Sequence, residues 1–193
     1  MIISTTAIEG PAIIDLEQRS DDRGFFARTF CIEEFGAAGL PTDVEQCNLS
    51  GNYRAGTLRG LHFQIAPHPE AKLVRCIRGA IVDVIVDMRP DSPTRLQHIA
   101  VELTADNKRA LLVPPYFAHA YQTLQDDTEV LYQVSGSYAP EAERGLRYDD
   151  PALGIQWPLP VNVISAKDAS WPLIADTDVR RYGWDPEKVG ADA

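Results

Sequence analysis

The sequence predicts a single all-β domain, a sandwich or barrel with one or two short helices. Short runs rich in β-branched and aromatic residues recur at near-regular spacing, each bounded by Gly, Pro, Asn or Asp. Helical patterning is confined to one or two short stretches, as expected of sandwiches and barrels. No repeat, low-complexity tract or linker divides the chain, so residues 1–193 read as one domain.

In order, residues 1–18 read as an extended entry in which Pro11 precedes the apolar Ile13, Ile14 and Leu16. SDDRGFFARTF joins a turn signal (Asp21, Asp22, Gly24) to an aromatic strand through Phe25, Phe26 and Phe30. Cys31 to Gly39 fits a short helix, with Glu33 and Glu34 in its first turn and a glycine at its end. Val44 to Asn52 reads as a strand with Gln46 and Asn48 on one face. Two apolar runs then flank Gly79. Lys72, Val74 and Cys76 share a face of the first, and Val82, Val84, Val86 and Met88 share a face of the second. Leu96 to Leu103 alternates loosely, and Asn107-Lys108 turns the chain into ALLVPPYFAHAYQTL. Glu129 to Tyr138 reads as a strand with Tyr132, Val134, Gly136 and Tyr138 on one side. Beyond Pro140 the chain is rich in Pro, Asp and Trp without a period, and from Thr177 it is polar, as in a surface-wrapping terminus.

The bulk composition narrows the function classes. With 45% apolar and 24% charged residues, the chain is neither disordered nor membrane-embedded in type. A net charge of −10 argues against general nucleic-acid binding, though not against a small phosphorylated ligand held by a few arginines. Cys31, Cys47 and Cys76 form no CxxC pair and read as free thiols in a reducing compartment. MIISTTAIEG lacks a secretory pattern, and Asp83 and Asp87 break the most apolar run, so a cytoplasmic, soluble protein with no membrane partner is expected.

The stretch Gly56 to Arg89 sets His62, Arg59, Arg75 and Lys72 among residues that otherwise read as buried sheet. Polar groups in such a sheet must be hydrogen-bonded or line a cavity. Strict alternation puts Arg59 and His62 on opposite faces, unless Gly60 seats a bulge between them. Of the four histidines, His62, His68, His98 and His119, no two form an HxH pair or an HExxH motif, so no metal is expected. GxSxG, Walker and GxGxxG motifs are also missing. What remains suits acid–base chemistry without a cofactor. His62 and His119 are candidate imidazole bases, Tyr132 a phenol acid, Lys72 a cation for a developing enolate, and Asp168 a histidine partner. Taken singly, each has an ordinary structural explanation.

Their order and context resemble the dTDP-4-dehydrorhamnose 3,5-epimerase family from about Ile13 to about Asp176. The strings that carry the likeness are DDRGFFARTF, QCNLS, LRGLHFQ, KLVRCIRG, DVIVDMRPDSPT, VPPYFAHAY, Tyr132 with SYAPEAE, DDPALGIQWP and ISAKD. The resemblance implies an antiparallel β jelly roll of the cupin type and a homodimer that exchanges N-terminal strand material. It implies epimerisation of a nucleotide-linked 4-keto-6-deoxyhexose at C3 and C5, with no cofactor. In that scheme His62 is the base, Asp168 its support, Tyr132 the acid, and Lys72 lies near the enolate oxygen. Arg59, His119, Gln46, Asn48, Lys167, Arg23 and Glu143 map onto sugar or phosphate contacts, and Tyr138 onto an aromatic near the nucleotide. The chain departs from the family pattern at Arg28, a substrate-contact position where a glutamate is usual, and at Ala120, where glycine is usual.

The alternatives are a single-centre epimerase or 3,4-ketoisomerase on the same fold, a metal-dependent cupin, and a non-catalytic sugar-nucleotide sensor or scaffold. Product stereochemistry separates the first pair, and metal content the third. Binding alone has no need of an opposed acid and base, which disfavours the sensor.

Overall fold

The computed structural model describes residues 1–183, and its strands form two packed antiparallel sheets. Thirteen strands are formed: β1 Ile2–Thr5, β2 Ala12–Asp15, β3 Arg19–Asp21, β4 Gly24–Phe26, β5 Gln46–Asn52, β6 Leu58–Gln64, β7 Lys72–Arg78, β8 Ala80–Asp87, β9 His98–Thr104, β10 Ala110–Val113, β11 Phe117–Thr123, β12 Thr128–Val134 and β13 Glu143–Gly145. Among the described residues two short α-helices accompany them, α1 Ile32–Ala37 and α2 Ala166–Ala169. One sheet has the order β1-β2-β10-β7-β12-β5, the other β13-β6-β11-β8-β9, and β3–β4 is a separate hairpin. This is the expected all-β class, a cupin-like jelly roll.

The main core lies between the sheets. Val74, Cys76, Leu111, Val113 and Val130 of the six-stranded sheet face Ile81, Ile85, Leu103 and Phe117 of the five-stranded one. A second cluster backs the five-stranded sheet, where Leu146, Leu153 and Tyr182 cover Leu61, Phe63, Val86 and Met88. The irregular segment after Pro140 therefore acts as a lid on that sheet. A third cluster packs Phe35 of α1 on Ala12, Ile14, Leu73 and Leu112. Strand β8 is buried on both faces, which explains its near-continuous apolar run.

Several boundaries differ from the sequence reading, each for a local reason. The strand expected to run to Tyr138 ends at Val134, because Val134 pairs with Gln46 and Lys72, the first residues of both flanking strands. The aromatic strand stops at Phe26, and Phe30 instead packs edge-on against Phe35 at 4.9 Å. Strand β9 starts at His98 because Leu96 has φ 65°, which a strand does not accommodate. The helix spans Ile32–Ala37, and β5 begins at Gln46 rather than Val44.

At Gly60 the chain does what alternation forbids. His119 opposes His62 while Tyr121 opposes Arg59, so β6 spends one extra residue against β11. Gly60 has φ 124°, and a Cβ there would lie 2.4 Å from Ala120 Cβ and 2.5 Å from the His119 carbonyl. The Ala120 methyl group thus occupies the space that a side chain at position 60 would need. Gly60→Ala is expected to lower stability by about 2–3 kcal/mol through clash and backbone strain. Urea denaturation measures it.

Candidate active site

The bulge turns Arg59 and His62 to the same side, so one wall of the space between the sheets carries Arg59, His62, His119 and Tyr121. The facing wall comes from β5, β7 and β12. There Tyr132 pairs with Asn48 and Val74, and Val134 with Gln46 and Lys72, so registered neighbours project together. The resulting cavity of about 650 Å³ is lined by Arg59, His62, Lys72, His119, Tyr121, Tyr132, Lys167 and Asp168, among others. An adjoining space of about 340 Å³ shares His62, Lys72 and Tyr132 and adds Gln46, Asn48, Tyr138 and Glu143.

Asp168 reaches the cavity on α2, whose N-cap Ser165 accepts a hydrogen bond from the Asp168 N–H at 3.0 Å. Its Oδ1 lies 2.7 Å from His62 Nε2, and its Oδ2 accepts from the Gly60 N–H at 3.2 Å. Burial opposes the Asp168 charge, but the hydrogen bonds from His62 and Gly60 outweigh it and hold the carboxyl below its usual range. A depressed folded value means that Asp168 stabilises the fold above its unfolded pKa, near 3.8, and loses that contribution as pH falls through the folded value. Thermal melts of wild type and Asp168→Asn should therefore differ by a constant amount near neutrality and converge below about pH 4.

A second imidazole–carboxylate pair lies beside the first. His119 Nε2 is 2.6 Å from Asp83 Oδ1. Asp83 is fully buried, and its Oδ2 has no hydrogen-bond partner among the described residues. Burial raises its pKa against the opposing pull of His119. The other acid of β8, Asp87, has the opposite fate. It accepts from Arg89 at 2.9 and 2.7 Å, from Ser92 at 2.6 Å and from Thr94 at 2.7 Å, and these bonds overcome its burial to keep it ionised. Asp87 organises the turn after β8, and Asp83 serves the cavity.

Arg59 is held by Asn52, whose Oδ1 accepts from Nε at 2.9 Å. Tyr121 donates to the same oxygen at 3.3 Å and shares a 2.7 Å hydrogen bond with Ser50. Lys72 is paired with Glu70. At the rim, Glu143 accepts from Lys167 at 2.7 and 2.8 Å and from Tyr138 at 2.9 Å. Burial disfavours the Glu143 charge, yet these two partners hold its carboxyl below the usual range.

Every expected site residue lines this space except two. Arg23 is exposed on the β3–β4 hairpin and pairs with Asp21 at 2.6 Å. Arg28 pairs with Glu34 at 2.8 Å. His68 sits in an exposed loop, 3.8 Å from Glu141. Among the described residues, no three His, Cys, Asp or Glu side chains converge as metal ligands. Sequence reasoning missed Asp83, Asn52, Tyr121, Ser50 and Glu70. Only Asp83 left a signal, as a charge inside an apolar strand.

Comparison with known proteins points the same way. The family model described as dTDP-4-dehydrorhamnose 3,5-epimerase matches residues 5–176. A dTDP-4-dehydrorhamnose 3,5-epimerase of Sinorhizobium fredii is 40% identical over 180 residues, covering 93% of this chain and 92% of that protein. The crystal structure of the Bacillus anthracis enzyme of that name, with TDP and PPi bound, superposes with a TM-score of 0.86 at 39% identity, over 90% of this chain and 99% of that one. The Legionella pneumophila dTDP-6-deoxy-D-glucose-3,5-epimerase, in complex with dTDP-4-keto-L-rhamnose, gives a TM-score of 0.86 at 36% identity, over 93% and 96%. With a matched fold, a match over most of the chain and an imidazole facing a phenol across one cavity, this chain belongs to the dTDP-4-dehydrorhamnose 3,5-epimerase family.

Proposed function

We propose that this enzyme inverts C3 and C5 of a dTDP-linked 4-keto-6-deoxyhexose, giving dTDP-4-dehydrorhamnose or a close analogue. The observation that carries the reading is the opposition of His62 and Tyr132 on facing sheets. The ketone at C4 acidifies the protons on its neighbours, so no cofactor is required. With Nε2 committed to Asp168, the other ring nitrogen of His62 takes the substrate proton. Charge then gathers on the C4 oxygen, where the Lys72 ammonium stabilises it. Tyr132 delivers a proton from the opposite wall, and the centre inverts. His62 then releases its proton to solvent and Tyr132 regains one, and repetition at the second carbon completes the reaction.

The two adjoining spaces match the size expected for a nucleotide-sized ligand, about 300–1,000 Å³. Arg59, held by Asn52, suits a diphosphate, with His119, Gln46, Asn48, Lys167, Glu143 and Tyr138 completing the sugar and nucleotide contacts. A homodimer belongs to the same reading. The outer face of the six-stranded sheet exposes Leu49, Ile77 and Leu131, and the hairpin exposes Phe25 and Phe26, an apolar surface suited to a second copy. Exchange of the hairpin would bring Arg23 to the partner's cavity, and Arg28 lies at the same end of the chain. The free thiols of Cys31, Cys47 and Cys76 fit a cytoplasmic setting.

The test is NMR of deuterium uptake from solvent into dTDP-4-keto-6-deoxyglucose. Uptake at both C3 and C5 supports double epimerisation, uptake at one carbon reduces the enzyme to a single-centre epimerase, and no uptake overturns the reading. Sedimentation velocity tests the dimer.

A further inference from the structure

Asp168 rides on a helix of four residues, too short to hold a carboxylate in place unaided. On the N-terminal side of α2 the chain is tied to β6 by the Leu58 N–H donating to the Val163 carbonyl at 2.8 Å, and by a parallel bridge between Thr57 and Val163. On its C-terminal side the anchor is the indole of Trp171. That ring packs on the backbone of Gly145, where a Cβ would lie only 2.1 Å from Cε2. Gly145 is the registered neighbour of His62 across the β13–β6 pair. The indole therefore sits beside the imidazole, with ring centroids 6.4 Å apart and an interplanar angle of 67°. The Arg181 guanidinium lies 5.1 Å from the indole centroid, and Arg144 Nε holds the Arg181 carbonyl at 2.8 Å. Trp171 Nε1 is buried with no hydrogen-bond partner among the described residues. Packing, rather than a hydrogen bond, sets where the ring lies.

We propose that Trp171 is a positioning residue for the reaction, a wedge between Gly145, His62 and Arg181 that fixes the seat of α2 and the orientation of the His62 ring together. This rests on the epimerase reading above. His62 and Asp168 reach the site from β6 and α2, far apart in sequence, and Trp171 touches the surroundings of both. Without the ring, Gly145 faces open space, the imidazole loses an edge contact, and the next tie on the C-terminal side of α2 is Ile174, whose N–H donates to Asp150 Oδ2 at 2.7 Å. The pair then samples geometries in which the 2.7 Å contact is broken. Misplacement of a catalytic group by about 1 Å can cost 10²-fold in rate. Gln46 and Asn48 on β5 and His119 on β11 stand away from the ring, and Arg59 is held by Asn52, so most of the proposed substrate contacts do not depend on Trp171.

The experiment compares Trp171→Ala, Trp171→Phe and Arg181→Ala with wild type by solvent deuterium uptake, circular dichroism, and ¹H NMR of the His62 ring N–H in the hydrogen bond to Asp168. That signal is assigned by its loss in His62→Ala. Trp171→Ala is expected to lower kcat by about 30–100-fold with KM changed by less than about threefold, and to broaden the imidazole N–H signal through exchange. Trp171→Phe, which keeps an aromatic wedge, should recover most of kcat and the signal, and Arg181→Ala should show a weaker version of the alanine phenotype. A Trp171→Ala enzyme with wild-type kcat and an unchanged N–H signal would overturn the proposal. So would equal losses in the alanine and phenylalanine variants that track a loss of folded protein. Absence of exchange in wild type would count against the epimerase reading instead, and the N–H signals would still decide whether Trp171 orients His62.

Discussion

His62→Ala is expected to lower deuterium uptake at C3 and C5 by about 10³–10⁴-fold, the upper range for removal of a positioned general base. Nothing else in the cavity takes its place. His119 is engaged with buried Asp83 on a different strand, and Lys72 is paired with Glu70. Nucleotide binding should persist, because Arg59, the proposed phosphate contact, is held by Asn52 and not by the imidazole. The melting temperature should fall only by a few degrees, since the Asp168 carboxylate keeps its bond from the Gly60 N–H while losing its partner. Uptake followed by NMR, with dTDP affinity from calorimetry, checks both halves. Near-normal turnover by this variant would end the assignment of His62 as base.

Tyr132→Phe should separate two events that wild type couples. The base on one wall still removes the proton, so substrate exchanges with solvent on the face that His62 serves. Inversion needs a proton from the other wall, where the phenol has been deleted, and should fall by about 10²–10³-fold. The signature is deuterium in unepimerised substrate. Loss of exchange and inversion together would mean that Tyr132 is needed before proton removal. Inversion at the wild-type rate would remove it as the acid. The ring itself stays in the sheet beside Asn48 and Val74, so the fold should be unaffected.

The candidate site was legible in the sequence to an unusual degree because the family strings lie in order along most of the chain. Those strings supplied His62, Tyr132, Asp168 and Lys72, and all four meet in one cavity. Alternation alone supplied less. It grouped Gln46 with Asn48 and Lys72 with Val74, and both groupings hold because they lie within regular strands. It placed Arg59 and His62 on opposite faces, and there a bulge overrode it. Asp83 and Asp87 look alike in the sequence, two residues of one type in one apolar run. They part company because Asp87 has Arg89, Ser92 and Thr94 within a few residues, whereas the partner of Asp83 comes from β11.

Taken alone, the sequence determined the fold class, where several of the strands fall along the chain, and which residue types were available for proton transfer. Those are properties of local pattern: a period of two, turn residues, and short strings of fixed spacing. The tertiary structure decided which side chains share a cavity, that the imidazole and phenol stand on opposing walls, that Arg23 and Arg28 lie outside the cavity of their own chain, and that Trp171 abuts His62. These depend on register between strands distant in the chain and on contacts of an irregular C-terminal segment. Such relations are set by packing of the whole domain, and no local period encodes them.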